Sequence, residues 1–308
     1  MLPVMRTNLA FGLVAVSWGG SYVASKVGLA DAGPFSFAML TTLFGGLTVA
    51  LVAWYRTRAV PRDLHAHGLA ALLGLLNSTV FVGLLNLGLA ARGMSAGMAS
   101  ILTYTQPLMV VVLARALLRE RPGRRRLLGV VIGFAGMVIA LGASIGTSLA
   151  PLWSYLCPLG AALSWALGTV LFKQIHARVD LLWTAALQGI YAAIPLGAIA
   201  YLTEGSAVAM HPTVPALLAL AQVALFSSGV AMATYLYLLT RHATVKVGVY
   251  LFTVPLISVL LGVLLLHEPL PPSLALGGVG VLAGVYLSGA EPDQAQADGA
   301  AYRVTVAR

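Results

Sequence analysis

Charge is what this sequence has least of. Asp, Glu, Lys and Arg together make up 9% of the chain, where soluble domains carry about 25%. Hydrophobic residues make up 59%, with a mean hydropathy of +0.93. A soluble core has nowhere to bury that much apolar surface, so a soluble globular class is excluded. Acids are the scarcer sign, nine against 18 Lys and Arg, for a net charge of +9. Nucleic acid is nonetheless excluded as a partner, because the basic residues sit in short gaps between apolar runs instead of on one face of a soluble fold. The single cysteine, Cys157, lies inside such a run. That rules out an internal disulfide framework and a multi-cysteine metal site, and leaves a small buried apolar residue.

Acids and histidines are also missing from the middles of the apolar runs. All nine acids, Glu120 and Glu268 among them, and all six histidines fall at run ends, in loops or in the C-terminal tail. An intramembrane protease, a metal transporter or a carboxylate-based proton relay holds such groups near mid-membrane. No catalytic residue, metal or cofactor is therefore assigned, and the chain reads as a non-enzyme. The Gly93-Met-Ser95-Ala-Gly97 stretch spells a nucleophile elbow, but it opens a membrane helix, where Ser95 suits a helix N-cap. Gly278-Val-Gly280 imitates a dinucleotide loop without the preceding strand, and close helix packing explains it better.

Long apolar runs are what the sequence does have. A bilayer core of ~30 Å needs ~20 apolar residues in a helix that satisfies its own backbone. Ten runs qualify, at Leu9 to Ala30, Pro34 to Tyr55, Gly68 to Ala91, Ser95 to Leu118, Leu127 to Ala143, Pro151 to Phe172, Leu181 to Leu202, Pro215 to Leu239, Val245 to Leu266 and Pro272 to Ser288. The first is too long for a signal-peptide core and reads as a retained span. With the N-terminus cytoplasmic, 16 of the 18 Lys and Arg fall on the cytoplasmic side, leaving Lys26 and Arg92 outside. The positive-inside rule then expects both termini in the cytoplasm of a bacterial cell, with the chain multi-pass in the inner membrane. Residues 291–308 turn to Asp, Gln, Ala and Gly, the composition of a flexible tail.

The chain also repeats itself. Pro107 precedes Glu120 by 13 residues, as Pro255 precedes Glu268; Ser17-Trp18 precedes Lys26 by the spacing at which Ser164-Trp165 precedes Lys173. The offset between halves is 147 to 148 throughout. Such a register marks an internal duplication, residues 1–145 and 146–290. Five spans per half is odd, so the second half is expected upside down relative to the first, an arrangement that alternating-access transporters use.

The Pro-to-Glu unit, followed in each half by a Gly-rich helix (Gly129, Gly133, Gly136; Gly277, Gly280, Gly284) and preceded by Ser-Trp, resembles the EamA family of the drug/metabolite transporter superfamily. The resemblance covers nearly the whole chain to about Ser288. It implies an all-α membrane fold of ten helices in two inverted five-helix repeats, around a cavity lined by helices 1, 3, 4, 6, 8 and 9. Within the family the chain looks most like bacterial exporters of aromatic and other amino acids. Small amphipathic metabolites and the lipid bilayer are the partners this implies.

Candidate binding residues follow from what is polar or aromatic within the runs. Tryptophan prefers membrane interfaces, so Trp18 and Trp165, deep in equivalent runs, suit an amphipathic cavity wall, with plain packing as the alternative. Tyr22 lies one turn beyond Trp18. Asn77, Asn86, Tyr104, Tyr235 and Tyr250 add hydrogen-bonding groups and aromatic surface for a zwitterion and its side chain. Pro107 and Pro255 free backbone carbonyls in mid-helix and are hinge candidates. Lys26 and Lys173 suit snorkelling to the interface, and Glu120 and Glu268 suit capping or ion pairing. Four functions remain: amino-acid export, lipophilic-cation efflux, an intramembrane enzyme and a structural scaffold. A cation pump wants an acid in its cavity and an enzyme wants a nucleophile with a base, and the runs offer neither. The oligomeric state, a monomer included, stays open.

Overall fold

The computed structural model describes residues 2–57, 59–118, 122–145, 150–176, 180–268 and 273–289. Each of the ten apolar runs is helical. The helices are α1 (Leu2–Gly28), α2 (Pro34–Thr57), α3 (Leu64–Ala90), α4 (Ala96–Leu118) and α5 (Arg124–Ile145), then α6 (Leu152–Ile175), α7 (Leu181–Glu204), α8 (Val214–Arg241), α9 (Thr244–Leu266) and α10 (Leu274–Gly289). Seven of them, α2, α3, α4, α6, α7, α8 and α9, are long and apolar enough to cross a membrane. The expected tail, 291–308, and Glu120 lie outside the described residues.

Helix ends follow local chemistry. Ser95 caps α4, its Oγ accepting from Met98 N at 3.0 Å, as its position predicts. Asp180 caps α7 through Trp183 N at 2.8 Å, and Gly205, at φ 76°, ends that helix in the left-handed conformation a side chain resists. α2 begins at Pro34 and is capped from afar. Glu204, at the end of α7, accepts from Phe35 N at 2.7 Å, Ser36 N at 3.0 Å and Ser36 Oγ at 2.6 Å.

The packing repeats when the halves are exchanged. α1 packs on α8 and α9, as α6 packs on α3 and α4; α2 meets α8, as α7 meets α3. Matching helices also meet their own counterparts and cross antiparallel. On α2 and α7, Ser36 lies by Glu204, Thr42 by Gly189 and Thr57 by Trp183. On α5 and α10, a Cβ on Gly136 would stand 2.7 Å from Gly277 O, and one on Gly284 would stand 2.5 Å from Gly129 O. These glycines let backbones touch, the small-residue packing of membrane helices.

Two irregularities recur at the repeat offset. α3 is π-helical over Leu75–Val80 and α8 over Gln222–Ala231, starting 147 positions apart. α4 breaks at Tyr104–Thr105 and α9 at Leu251–Phe252, again 147 apart. Pro107 and Pro255 lie just beyond those breaks, at the start of the resumed helix, where a missing N–H costs no hydrogen bond.

Candidate functional site

The two halves close on one central cavity. It is lined from α1 (Trp18, Ser21, Tyr22, Ser25), α2 (Thr42), α3 (Asn77, Ser78, Phe81, Val82, Leu85, Asn86), α4 (Tyr104), α6 (Trp165), α7 (Ala185, Gln188, Gly189) and α8 (Val223, Ser227, Ser228, Met232). None of these residues is charged. The room left for the centres of water molecules is about 60 Å³, enough for a few waters and too little for an amino acid unless the helices part.

An aromatic cluster forms the middle of the wall. Trp18 and Trp165 meet edge to face with centroids 5.0 Å apart; Phe81 lies 4.9 Å and Tyr104 5.8 Å from the Trp165 ring. Tyr235 packs behind, 5.1 Å from Trp18 and 5.7 Å from Trp165, and its hydroxyl shares a 2.7 Å hydrogen bond with Thr169. Gln106 Nε2 donates to that Thr169 oxygen at 3.5 Å. Trp18 Nε1 donates to the Ser227 carbonyl at 3.2 Å, within the π-helical stretch of α8, and Ser164 Oγ donates to the Leu76 carbonyl at 2.8 Å, within that of α3. A π turn leaves carbonyls without their usual helical partners. The repeated Ser-Trp thus has a use in each half: it ties the first helix to the other half's π stretch.

Asn77 Nδ2 donates to Gln188 Oε1 at 3.4 Å, and Asn86 Nδ2 to the Pro34 carbonyl at 3.5 Å. Of the residues singled out from sequence, Trp18, Tyr22, Asn77, Asn86, Tyr104 and Trp165 border one cavity. Tyr235 stands behind its wall. Tyr250 is not among the residues that border this cavity; its ring stacks on Phe11 with centroids 4.1 Å apart. The helices that line this cavity differ from the expected set. α9 contributes nothing, and α2 and α7 enter because their glycine contacts bring the two backbones close beside the cavity.

Two lysines also resolve. Lys26 Nζ donates to the Leu89 and Met94 carbonyls at 2.9 and 2.7 Å, and Lys173 Nζ to the Leu239 and His242 carbonyls at 2.5 and 2.9 Å. Each ammonium caps the C-terminal end of its half's third helix. Glu268 Oε1 accepts from Ala96 N at 3.2 Å, a cap reaching from the second half to the first.

A model of the EamA-like transporter family matches residues 5–142 and again 152–290. The chain belongs to the EamA-like transporter family. This EamA-like chain is 32% identical over 290 residues to the uncharacterized transporter YvbV of Bacillus subtilis, covering 93% of itself and 92% of that protein. It is 27% identical over 287 residues to a protein of Escherichia coli strain K12 named probable amino-acid metabolite efflux pump, covering 90% and 92%. One solved structure superposes with a TM-score of 0.74 at 22% identity, covering 92% of this chain and 96% of the other, and so shares its fold. The protein is a multi-pass membrane transporter.

Sequence reasoning missed Gln188 and Gln106, buried amides at 1% exposure each. Both were visible as uncharged polar residues inside apolar runs, the signal that singled out Asn77. Among the described residues no group of three His, Cys, Asp or Glu side chains could hold a metal ion.

Proposed function

We propose that this EamA-like transporter exports neutral amphipathic amino acids, aromatic ones included, across a bacterial inner membrane by alternating access. The observation that carries it is the cavity between the halves, where edge-to-face rings stand beside buried amides and no charged side chain lines the wall. Aromatic faces suit an apolar side chain, and uncharged donors and acceptors suit a zwitterion whose charges sum to zero. The name of the Escherichia coli relative points the same way. A lipophilic cation would want a carboxylate in the cavity.

In this reading all ten helices span the bilayer as two inverted five-helix repeats, 1–145 and 146–290, with both termini and most Lys and Arg in the cytoplasm. Antiparallel crossing of α2 with α7 and of α5 with α10 supports the inversion. The breaks beside Pro107 and Pro255 serve as hinges, and the narrow cavity belongs to a closed stage of the cycle. Cells overproducing the chain are expected to release phenylalanine and threonine into the medium faster than cells carrying an empty vector. Unchanged release of both would contradict the export assignment.

A further inference from the structure

The seam between α2 and α7 is closed differently at its two ends. Ser36 and Trp183 stand 147 positions apart, as do Thr57 and Glu204, so Ser36–Glu204 and Trp183–Thr57 are one contact made twice by the repeat. At one end side chains meet side chains. Trp183 Nε1 donates to Thr57 Oγ1 at 3.2 Å, and His67 Nδ1 bonds the Tyr191 hydroxyl at 2.5 Å, beside a cavity of about 200 Å³ bounded by Pro61, Ala70 and Trp183. α7 needs no cap from α2 there, because Asp180 supplies one. At the other end α2 is preceded by Gly33, which has no side chain to cap it. The half-buried carboxylate of Glu204 does so from α7, accepting three hydrogen bonds of 2.6 to 3.0 Å. Charge-assisted bonds onto a helix N-terminus are the stronger kind. A Cβ on Gly33 would run into that carboxylate.

The loop after Glu204 continues the closure as a strap between the halves. Ala209 N donates to Ser36 Oγ at 2.8 Å, Gly33 N to the Ala209 carbonyl at 2.8 Å and His211 N to the Asp31 carbonyl at 2.8 Å. Met210 of the strap packs on a small apolar cluster separate from the main core: Met39 and Leu40 of α2, Ala193 and Leu196 of α7, and Val82 of α3. Val82 also lines the central cavity. The cluster is therefore a plug between cavity and strap, and both halves contribute to it. We propose that Glu204 is the latch of an outer gate, its carboxylate holding this plug shut on the periplasmic side. The side-chain contacts at the cytoplasmic end of the same seam are the easier ones to part. The free transporter then rests closed to the outside and ready to load from the cytoplasm, which suits an exporter, and opening outward spends the Glu204 bonds. The latch rests on the topology and alternating access proposed above and goes beyond them by naming what sets the resting direction.

The test places a reporter cysteine at Val82 in a Cys157→Ala background and follows its reaction with a membrane-impermeant maleimide in right-side-out and inside-out vesicles. The variants are Glu204→Ala, Gly33→Ala, which displaces the carboxylate without removing it, and Trp183→Phe at the position matching Ser36. In a separate protein Val208→Cys, at a strap residue 54% exposed, reports which side the strap faces. Val208→Cys is expected to react from outside. In Glu204→Ala and Gly33→Ala, outside labelling of Val82→Cys should rise about tenfold, the factor for losing a charge-assisted bond, while inside labelling does not rise, because the two open states draw on one population. Trp183→Phe should not raise outside labelling. Unchanged outside labelling in both Glu204→Ala and Gly33→Ala would overturn the latch, as would an equal rise from both sides, the mark of a loosened fold. Labelling of Val208→Cys from the cytoplasm alone would overturn the latch and the topology together. No substrate enters this assay, so the latch can fall while amino-acid export stands.

Discussion

Trp18 and Trp165 stand 147 positions apart in sequence and touch in the fold, edge to face, with ring centroids 5.0 Å apart and planes at 84°. Two matching residues of a duplicated chain can meet only near the axis that relates the copies. The contact therefore marks where the halves are joined. It also changes what truncation should do. A tryptophan bordering an open cavity would be removable without loss of stability, but these two are 6% and 2% exposed and packed among other rings.

Trp165→Ala is therefore expected to cost ~3 kcal/mol or more of stability, as large-to-small changes in a packed core do. Trp18→Phe, which keeps a ring and loses one hydrogen bond to the Ser227 carbonyl, should cost ~1 kcal/mol. Thermal unfolding in detergent checks both. A Trp165→Ala protein that melts with wild type would mean the ring is a bare cavity wall.

Lys26 and Lys173 are expected to behave as a pair. Each donates two hydrogen bonds to carbonyls at the end of the third helix of its half. Lys26→Met and Lys173→Met should each lose ~2 kcal/mol, with KM for amino acids unchanged. The measurement is melting temperature beside KM. A rise in KM without a drop in stability would make either lysine a substrate contact.

Neighbouring glycines on one helix should differ sharply. A Cβ at Gly280 would fall 2.9 Å from the Gly136 Cα, and one at Gly136 2.6 Å from Val281 N, whereas one at Gly278 meets nothing within 4 Å. Backbone cannot step aside as a flexible side chain can, so Gly136→Ala and Gly280→Ala should each destabilise by ~1–3 kcal/mol. Gly278→Ala should be neutral or slightly stabilising. Size-exclusion profiles and melting of the three variants separate the outcomes, and equal effects would contradict the antiparallel contact of α5 with α10.

Much of this fold could be read from the sequence because membrane spans announce themselves by length and apolarity, and a duplication by a constant offset. Helix α4 begins where Ser95 predicts, since an N-cap is local chemistry. The cap on α2 was not legible, because its carboxylate, Glu204, lies 168 positions from Ser36 and resembles any loop acid. The π stretches over Leu75–Val80 and Gln222–Ala231 were hidden for a related reason: their freed carbonyls are answered by Ser164 and Trp18 from the opposite half. Tyr250 was singled out by type and depth, and its stacking on Phe11, 239 positions away in sequence, was not legible from either. Gln188 needed no structure to be noticed, only the same weight given to a buried glutamine as to a buried asparagine.

The central claim, export of neutral amino acids through the uncharged cavity, is tested most directly by counterflow in proteoliposomes. Vesicles loaded with unlabelled phenylalanine or threonine are presented with a trace of the labelled amino acid, and a parallel set with a cationic dye. Transient accumulation of both labelled amino acids, without accumulation of the dye, is the expected result. Accumulation of the dye alone would contradict the account and favour lipophilic-cation efflux.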